Sequence, residues 1–462
     1  MLNISDHKSI EKVVRYFEEF SAIPHGSGNT AMIADYLVDF AKKRNLDYSR
    51  DSADNVVIRK AATKGYEDRP GIIFQGHLDM VAEKKPGADI DMEKDGLKLY
   101  RDGDFLRAEN TTLGGDDGVA LAYALAVLDA DDIPHPAFEA VFTSDEEIGL
   151  LGAVAIDPSE IKGRLLINID SDEEGVFTVG CAGGMRSDVT LPIRRTNSEN
   201  NSFRVKVSGF KGGHSGVEID KGRVNANKAL IEIISGIGDI SIKDIRGGNA
   251  DNAIPREAEC VFSSSYDHTA LINKLGNEMK AKYAKIEPDI TVTVEKVGDP
   301  TAGISVQDSA RLISLLNELP SGIIAMSYDV DGLVETSLNM GILKLEADKA
   351  EVSFSVRSAK GAEKEKLSQR LEKIAKDHGA SYSTRGEYPA WEYKKDSHLR
   401  DVMKQVYEDM YGTSPEIVII HAGLECGIFS EKLDGIDCVS IGPNNYDIFN
   451  ALYLNLACSF SS

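Results

Sequence analysis

Four short stretches set histidine and carboxylates at spacings that a metal could use. "GHLD" carries His77 and Asp79, "GGDDG" carries Asp116 and Asp117, "TSDEEIG" carries Glu146 and Glu147, and "NIDSDEEG" carries Asp170. Taken singly, each has an ordinary explanation. His-x-Asp is a common hydrogen-bonded pair, "DDG" opens helices because acids favour the positive helix end, and runs of acids are solvated turns. Gathered in one place, these carboxylates would raise one another's pKa unless a cation neutralised them. Carboxylate plus imidazole suits zinc, manganese or cobalt. One carboxylate can bridge two ions, and ions roughly 3.5–4 Å apart polarise a carbonyl while activating water. In this reading His77 ligates directly and Asp79 orients its ring. Of Glu146 and Glu147, one ligates while the other works as a general base near neutral pH.

The elements around these stretches give a reason for them to meet. Each follows an apolar strand or opens a helix. Strand-like runs occur at "NVVIRK" (55–60), "GIIFQ" (71–75), "FEAVFTS" (138–144) and "RLLINID" (164–170), and helical periodicity covers 8–21 and 29–44. "SGNT" reads as a capping sequence for the second helix. "GGDDGVALAYALAVLDA" reads as a glycine turn leading into an apolar helix. This alternation predicts an α/β layer with a largely buried sheet, and sites in open α/β sheets form at the carboxyl ends of strands. From residue 186 the texture becomes α+β, with "SFRVKVSGF", "EAECVFSSS", "DITVTVEKV", "KAEVSFSVRS" and the helix "AEKEKLSQRLEKIAKDH". After "GEYPAW" (386–391) helix, strand "EIVII" (416–420) and strand "DCVSIG" (437–442) return. The expected organisation is a discontinuous domain, 1–185 with 391–462, interrupted by an inserted domain at 186–390.

The 462-residue length predicts two or three domains. Apolar content of 42% and charged content of 27% are those of a soluble globular chain. The apolar run "VALAYALAVL" (119–128) is too short to cross a bilayer, and the first residues lack a secretion pattern, so a cytoplasmic location is expected. Five scattered cysteines without a CxxC pair fit reduced thiols. A formal charge of −23 repels nucleic acid and anionic membrane, so neither is expected as a partner.

Together "GHLDMV", "TTLGGDDGVALAYALAVL", "FTSDEEIGLLGA", "LINIDSDEEG", "GCAGG", "KGGHSGVEI", "NAIPREA" and "HAGLECGIF" resemble the aminoacyl-histidine dipeptidases. These Xaa-His dipeptidases (peptidase D, carnosinase-type) are a branch of the M20 metallopeptidases. The resemblance implies a zinc-peptidase-like α/β catalytic domain, its mixed sheet flanked by helices, plus an inserted α+β lid domain, assembled as a homodimer. It implies hydrolysis of small Xaa-His dipeptides with up to two divalent ions, Zn2+ foremost and Mn2+ or Co2+ as alternatives. Carried over by position, His77, Asp116 and Asp170 hold one ion, Asp116 bridges to a second, and Glu147 also binds that second ion. Glu146 matches the general base and Asp79 the residue behind the histidine. His214, Asn252 and Arg357 match substrate contacts, although a surface turn also accounts for His214 and a strand-end salt bridge for Arg357.

The match breaks after "SIGPNNYDI" (440–448). Phe449 stands where the resemblance expects a further metal-ligating histidine, and the residues that follow, "NALYLNLACSFSS", read as unrelated to the family's closing segment. A phenyl ring offers no lone pair, which predicts a weak second metal site and lowered activity. His421 follows the strand "EIVII" and could substitute as a ligand, but its motif reads first as structural or substrate-contacting. A catalytically impaired relative that binds peptide or metal, or an amide hydrolase with another substrate, are the competing expectations.

Overall fold

The computed structural model describes residues 10–196, 201–298, 301–328, 330–446 and 457–459. The chain divides into two compact units. One comprises Met1–Gly180, Tyr393–Ile419 and Leu424–Ser462; the other comprises Cys181–Glu392 and Ile420–Gly423.

The first unit is built on a mixed eight-stranded sheet. From edge to edge its strands are Asp47–Arg50, Val56–Lys60, Phe138–Thr143, Ile72–His77, Leu165–Asn168, Asp437–Ser440, Val176–Cys181 and Glu416–Ile420. Phe138–Thr143, Ile72–His77, Leu165–Asn168 and Asp437–Ser440 run parallel to one another, flanked antiparallel by Val56–Lys60 and Val176–Cys181, and Asp47–Arg50 pairs antiparallel with Val56–Lys60. The sequence shows why the centre is parallel. "FEAVFT" is buried at every position, as a strand covered on both faces requires, and its one carboxylate, Glu139, accepts the Lys162 and Gly163 N–H groups. The helices Glu11–Ser21, Ala31–Lys43 and Gly115–Leu128 close a core with these strands through Phe17, Phe20, Ile33, Leu37, Leu121 and Leu125. Burying each such side chain stabilises the fold by about 1.5–3 kcal/mol.

One expected detail differs. The second helix starts at Ala31, but Thr30 at its N-cap has a helical backbone (φ −93°, ψ −10°) and makes no side-chain capping bond. An extended backbone is what brings a cap hydroxyl onto the first free N–H groups. Asn29 before it donates its side-chain amide to the Glu93 carbonyl at 3.0 Å, and Ser27 and Gly28 have partners described below. The helix His398–Tyr411, by contrast, is capped by Ser397, whose Oγ accepts from the Arg400 N–H at 3.1 Å. Asp437 accepts from both Ser397 Oγ (2.7 Å) and the Leu399 N–H (2.9 Å), tying that helix to its strand.

The second unit is an antiparallel nine-stranded sheet with helices packed on it, an α+β arrangement. Its main path runs Thr291–Val297, Asn201–Ser208, Ala258–Ser264, Ser241–Gly247, Val334–Leu345, Lys349–Ser358, Gly183–Pro192 and Ser381–Tyr388, and Gly322–Met326 also pairs with Val334–Leu345. Helices Ala226–Ser235, Thr269–Tyr283, Val306–Glu318 and Gly361–Asp377 bury Leu230, Ile272, Leu315 and Leu371 in one core with the sheet. Asn225 accepts from the Asn227 and Lys228 N–H groups to start the first of these helices. Its amide donates to Asn339 Oδ1 at 3.0 Å, and the Asn339 amide donates to the Asp251 and Ala253 carbonyls at 2.9 and 2.8 Å. The loop bearing Asn252 is thereby anchored to the sheet. Among the described residues no helix is long and apolar enough to cross a membrane. Phe449 lies outside the described residues.

Candidate metal centre

In the first unit the carboxyl ends of three neighbouring parallel strands deliver the acidic turns. Ile72–His77 ends on the histidine itself, Phe138–Thr143 runs into Ser144–Glu147, and Leu165–Asn168 runs into Asp170. Asp116 arrives from the start of Gly115–Leu128, where Asp116 and Asp117 have non-helical backbones. Gly114 makes that turn possible: its φ of +69° favours glycine, and Met80 Sδ lies 2.8 Å from where a Cβ would stand.

His77 is buried, with 1% of its surface exposed. Its Nδ1 donates to the Asp79 carbonyl at 2.9 Å and lies 3.4 Å from Asp79 Oδ1. Its Nε2 is 3.0 Å from Asp116 Oδ1 and 3.8 Å from Asp170 Oδ1. Ligand atoms of His77, Asp116 and Asp170 all lie within 4.8 Å of one another, and so do those of His77, Glu146 and Glu147. Asp117 turns away from this ring. Its Oδ2 accepts the backbone N–H of His77 at 3.2 Å, and Gly76 leaves it room, since a Cβ there would collide with Ala120 and the Asp117 carboxylate.

Asp79 is the hub beneath the ring. Oδ1 accepts the Glu146 N–H at 2.9 Å; Oδ2 accepts Ser27 Oγ at 2.8 Å and the Glu147 N–H at 3.3 Å. Burial works against its charge, yet the bonds from His77, Ser27 and the Glu146 N–H prevail and hold its pKa at about 2. Burial likewise opposes a charge on His77, but hydrogen bonds to Asp116 and Asp79 and the charge of Asp170 hold its pKa well above the ordinary imidazole value. The other acids show the reverse strain. Burial first, and neighbouring carboxylates after it, push Glu146 and Asp170 well up, Glu147 to about 7 and Asp172 to about 6. A compact ring of one imidazole and several carboxylates that resist ionising together is a donor set suited to divalent cations. By that test these residues fit such a group.

Sequence reasoning passed over two members of this region. Glu425, with no exposed surface, accepts from Thr143 Oγ1 at 2.6 Å and from the Gln75 amide, and burial pushes it up to about 7. Its place in "HAGLECG" gave no spacing cue toward His77. Ser27 was hidden in "PHGSGN", a stretch that resembles a turn and a cap.

The second unit holds the remaining candidates. His214 pairs in register with Ala253, beside Asn252, and the Ser215 N–H donates to the Asn252 carbonyl at 2.8 Å. His214 Nδ1 accepts from the Gly216 and Val217 N–H groups at 3.3 and 3.2 Å, so the neutral ring carries its proton on Nε2. Burial, then the positive charge of Arg357, lowers the His214 pKa. Arg357 is 8% exposed, sits opposite Ser337 in the sheet and donates to Tyr388 Oη at 2.9 Å. Among the described residues no carboxylate forms an ion pair with it. His421 Nε2 lies 2.7 Å from Ser337 Oγ, and burial followed by Arg357 takes its pKa to about 3. Within its own unit His421 thus belongs with Arg357 and His214.

Residues 205–289 match the peptidase dimerisation domain of the M20 family. Over 436 residues, covering 92% of this chain and 90% of the relative, the sequence is 35% identical to the cytosol non-specific dipeptidase of Escherichia coli. The chain belongs to the M20 metallopeptidase family. The crystal structure of aminoacylhistidine dipeptidase from Vibrio alginolyticus matches this M20 chain with a TM-score of 0.88 at 35% identity, covering 97% of this chain and 93% of the other. Aminopeptidase PepT from Bacillus cereus shares the fold, with a TM-score of 0.53 at 18% identity over 97% of this chain and 93% of its own. An α/β peptidase unit carrying an inserted dimerisation domain is the architecture this M20 member shares with them.

Proposed function

We propose that this M20 peptidase hydrolyses small dipeptides of the Xaa-His type with the aid of divalent metal. The observation that carries the reading is the convergence of His77 with Asp116 and Asp170 on one side and with Glu146 and Glu147 on the other. His77, Asp116 and Asp170 would hold one ion, and Asp116 and Glu147 a second, with Zn2+ the expected metal and Mn2+ or Co2+ able to replace it. Such ions polarise a scissile carbonyl and acidify an attacking water.

The chain's own residues do the rest. Glu146 takes the proton from the attacking water and returns it to the leaving amine. Asp79 keeps the proton of His77 on Nδ1 and leaves Nε2 its lone pair. The substrate-contact roles fall on His214, whose Nε2–H can donate to an oxygen, on Asn252, and on Arg357, a buried cation without an acidic partner among the described residues and so free to meet a substrate carboxylate. A homodimer formed through the second unit and a cytoplasmic location complete the proposal.

Phe449 favours a second reading, a weakened enzyme whose second ion binds poorly. Histidine release from β-alanyl-histidine and a panel of dipeptides, with Zn2+, Mn2+ or Co2+ added, tests both. Turnover restricted to Xaa-His substrates supports the first. Metal binding without turnover supports the second, and turnover of acylated amino acids alone would replace both with another amide hydrolase.

A further inference from the structure

The loop His25–Gly28 lies on a different part of the chain from every residue discussed as a ligand, yet it is stitched to two of the turns that carry them. The Met80 N–H donates to the His25 carbonyl at 3.1 Å, and the Ser27 N–H returns a bond to the Met80 carbonyl at 3.3 Å. Ser27 Oγ donates to Asp79 Oδ2 at 2.8 Å. The next residue, Gly28, donates its N–H to Asp145 Oδ1 at 2.6 Å. Asp145 is a non-glycine residue at φ +54°, a strained backbone placed immediately before Glu146. Gly26 permits the close approach, because a Cβ there would sit 2.7 Å from the Ala82 Cβ.

Adjacent residues of one loop therefore grip the two aspartates that frame the Glu146–Glu147 turn. Asp79 shows what the grip does. Its Oδ1 has the Glu146 N–H, but the partners of Oδ2 are the Ser27 hydroxyl at 2.8 Å and the Glu147 N–H at a longer 3.3 Å. Without the hydroxyl, the carboxylate keeps the Glu146 N–H on Oδ1 but only the longer Glu147 bond on Oδ2, so its rotation about the Cβ–Cγ bond is less restrained. Rotation would loosen the backbone that aims Glu146 and Glu147 and take Oδ1 from its place 3.4 Å from His77 Nδ1, while the Asp79 carbonyl keeps its 2.9 Å bond to that ring.

We infer that Ser27 is a positioning residue of the metal centre: through the Asp79 carboxylate it fixes the direction of the Glu146–Glu147 turn and the negative charge that faces His77 Nδ1. It touches neither substrate nor cation. The inference rests on the proposed roles of His77, Asp79 and Glu146, and it adds a residue from a loop that those roles do not include. Outer hydrogen-bond partners of this kind typically change metal affinity or activity about 10–100-fold when removed.

The test uses the full chain, with cobalt as a spectroscopic probe of the centre. Ser27→Ala is expected to weaken Co2+ binding about 10-fold or more and to alter the cobalt visible spectrum. The same variant is expected to lower kcat by about 10–100-fold with KM nearly unchanged. Ser27→Thr, which keeps the hydroxyl, is expected to recover both, and the unfolding temperature of all three proteins should agree. Parent-like cobalt affinity and spectrum in Ser27→Ala would overturn the inference, as would a loss that tracks the unfolding temperature and is not recovered by threonine. If the parent cleaves no dipeptide, the proposed substrate falls while the cobalt titration still decides the role of Ser27. A parent that binds no cobalt would end both.

Discussion

Thr143 Oγ1 donates a 2.6 Å hydrogen bond to Oε2 of Glu425, joining the end of a central strand to a helix that begins far along the chain. The same oxygen accepts from the Gln75 side-chain amide, and Gln75 Oε1 accepts from the Asn168 side-chain amide at 2.7 Å. Three parallel strands are thus cross-linked just below their acidic turns. Glu425→Leu should leave the Thr143 hydroxyl only its 3.3 Å bond to the Gly76 carbonyl and the Gln75 amide only its 3.4 Å bond to Thr143 Oγ1, and cost about 1–3 kcal/mol in stability. Glu425→Gln keeps an acceptor oxygen and should cost far less. Urea unfolding of the two variants measures the difference, and equal losses would contradict it.

Gly76→Ala tests the approach of the helix to the strand. The added methyl would meet Ala120 and the Asp117 carboxylate that holds the His77 N–H. Overpacking of this kind costs about 1–3 kcal/mol, and here it should also displace His77. A lowered unfolding temperature together with weakened cobalt binding is the expected pair of results.

Removing metal should expose two opposite dependences on pH. Protonated ligands compete with cations, and Glu147 is held at about 7 in the metal-free protein, so metal affinity should fall as pH drops below 7. Folding runs the other way. Glu147 and Glu425, both raised to about 7 from 4.5, bind more protons folded than unfolded, so metal-free stability falls as pH rises through that window. His421, lowered from 6.5 to about 3, contributes a rise in stability over its own range and nothing further above it. Between pH 6.5 and 7.5, therefore, the metal-free chain should lose stability. Thermal unfolding in chelator reads this decline, and added metal should abolish it.

Arg357→Met separates recognition from stability. A buried guanidinium without a carboxylate partner contributes little to the fold, so the unfolding temperature should hold or rise. If Arg357 meets the substrate carboxylate, KM should increase by roughly 10–100-fold, the worth of a charged hydrogen bond. A lower unfolding temperature with unchanged KM would return Arg357 to a purely structural role.

Phe449→His adds an imidazole where the resemblance expects one. Calorimetric titration should show tighter binding of a second ion, and turnover should increase. No change in either would mean that the second ion does not depend on that position.

Much of the architecture was readable because strand burial leaves a direct mark on composition. "FEAVFT", "GIIFQ" and "RLLIN" are rich in apolar residues, and each became a central strand of a mixed sheet. The acids were readable only as a group: each alone is an ordinary turn or helix start, but four such stretches at strand ends or a helix start have one place to meet. Ser27 and Glu425 were not readable, because each acts through a partner more than fifty residues away and carries no periodic signal. Thr30 misled because composition proposes a cap but cannot report the local φ and ψ. The order of strands was also hidden, since Asp437–Ser440 enters the middle of the sheet and not its edge.

That insertion bears on how the molecule is born. Leu165–Asn168 and Val176–Cys181 leave the ribosome early, yet the strand that belongs between them follows only with Asp437–Ser440, where Ser440 Oγ meets Ser171 Oγ at 2.7 Å. A slot in the nascent sheet must wait, unzipped, while the whole second unit is made. Until it is filled, the floor under Asp170 is unfinished, and the young polypeptide has no complete cradle in which to sequester a stray ion.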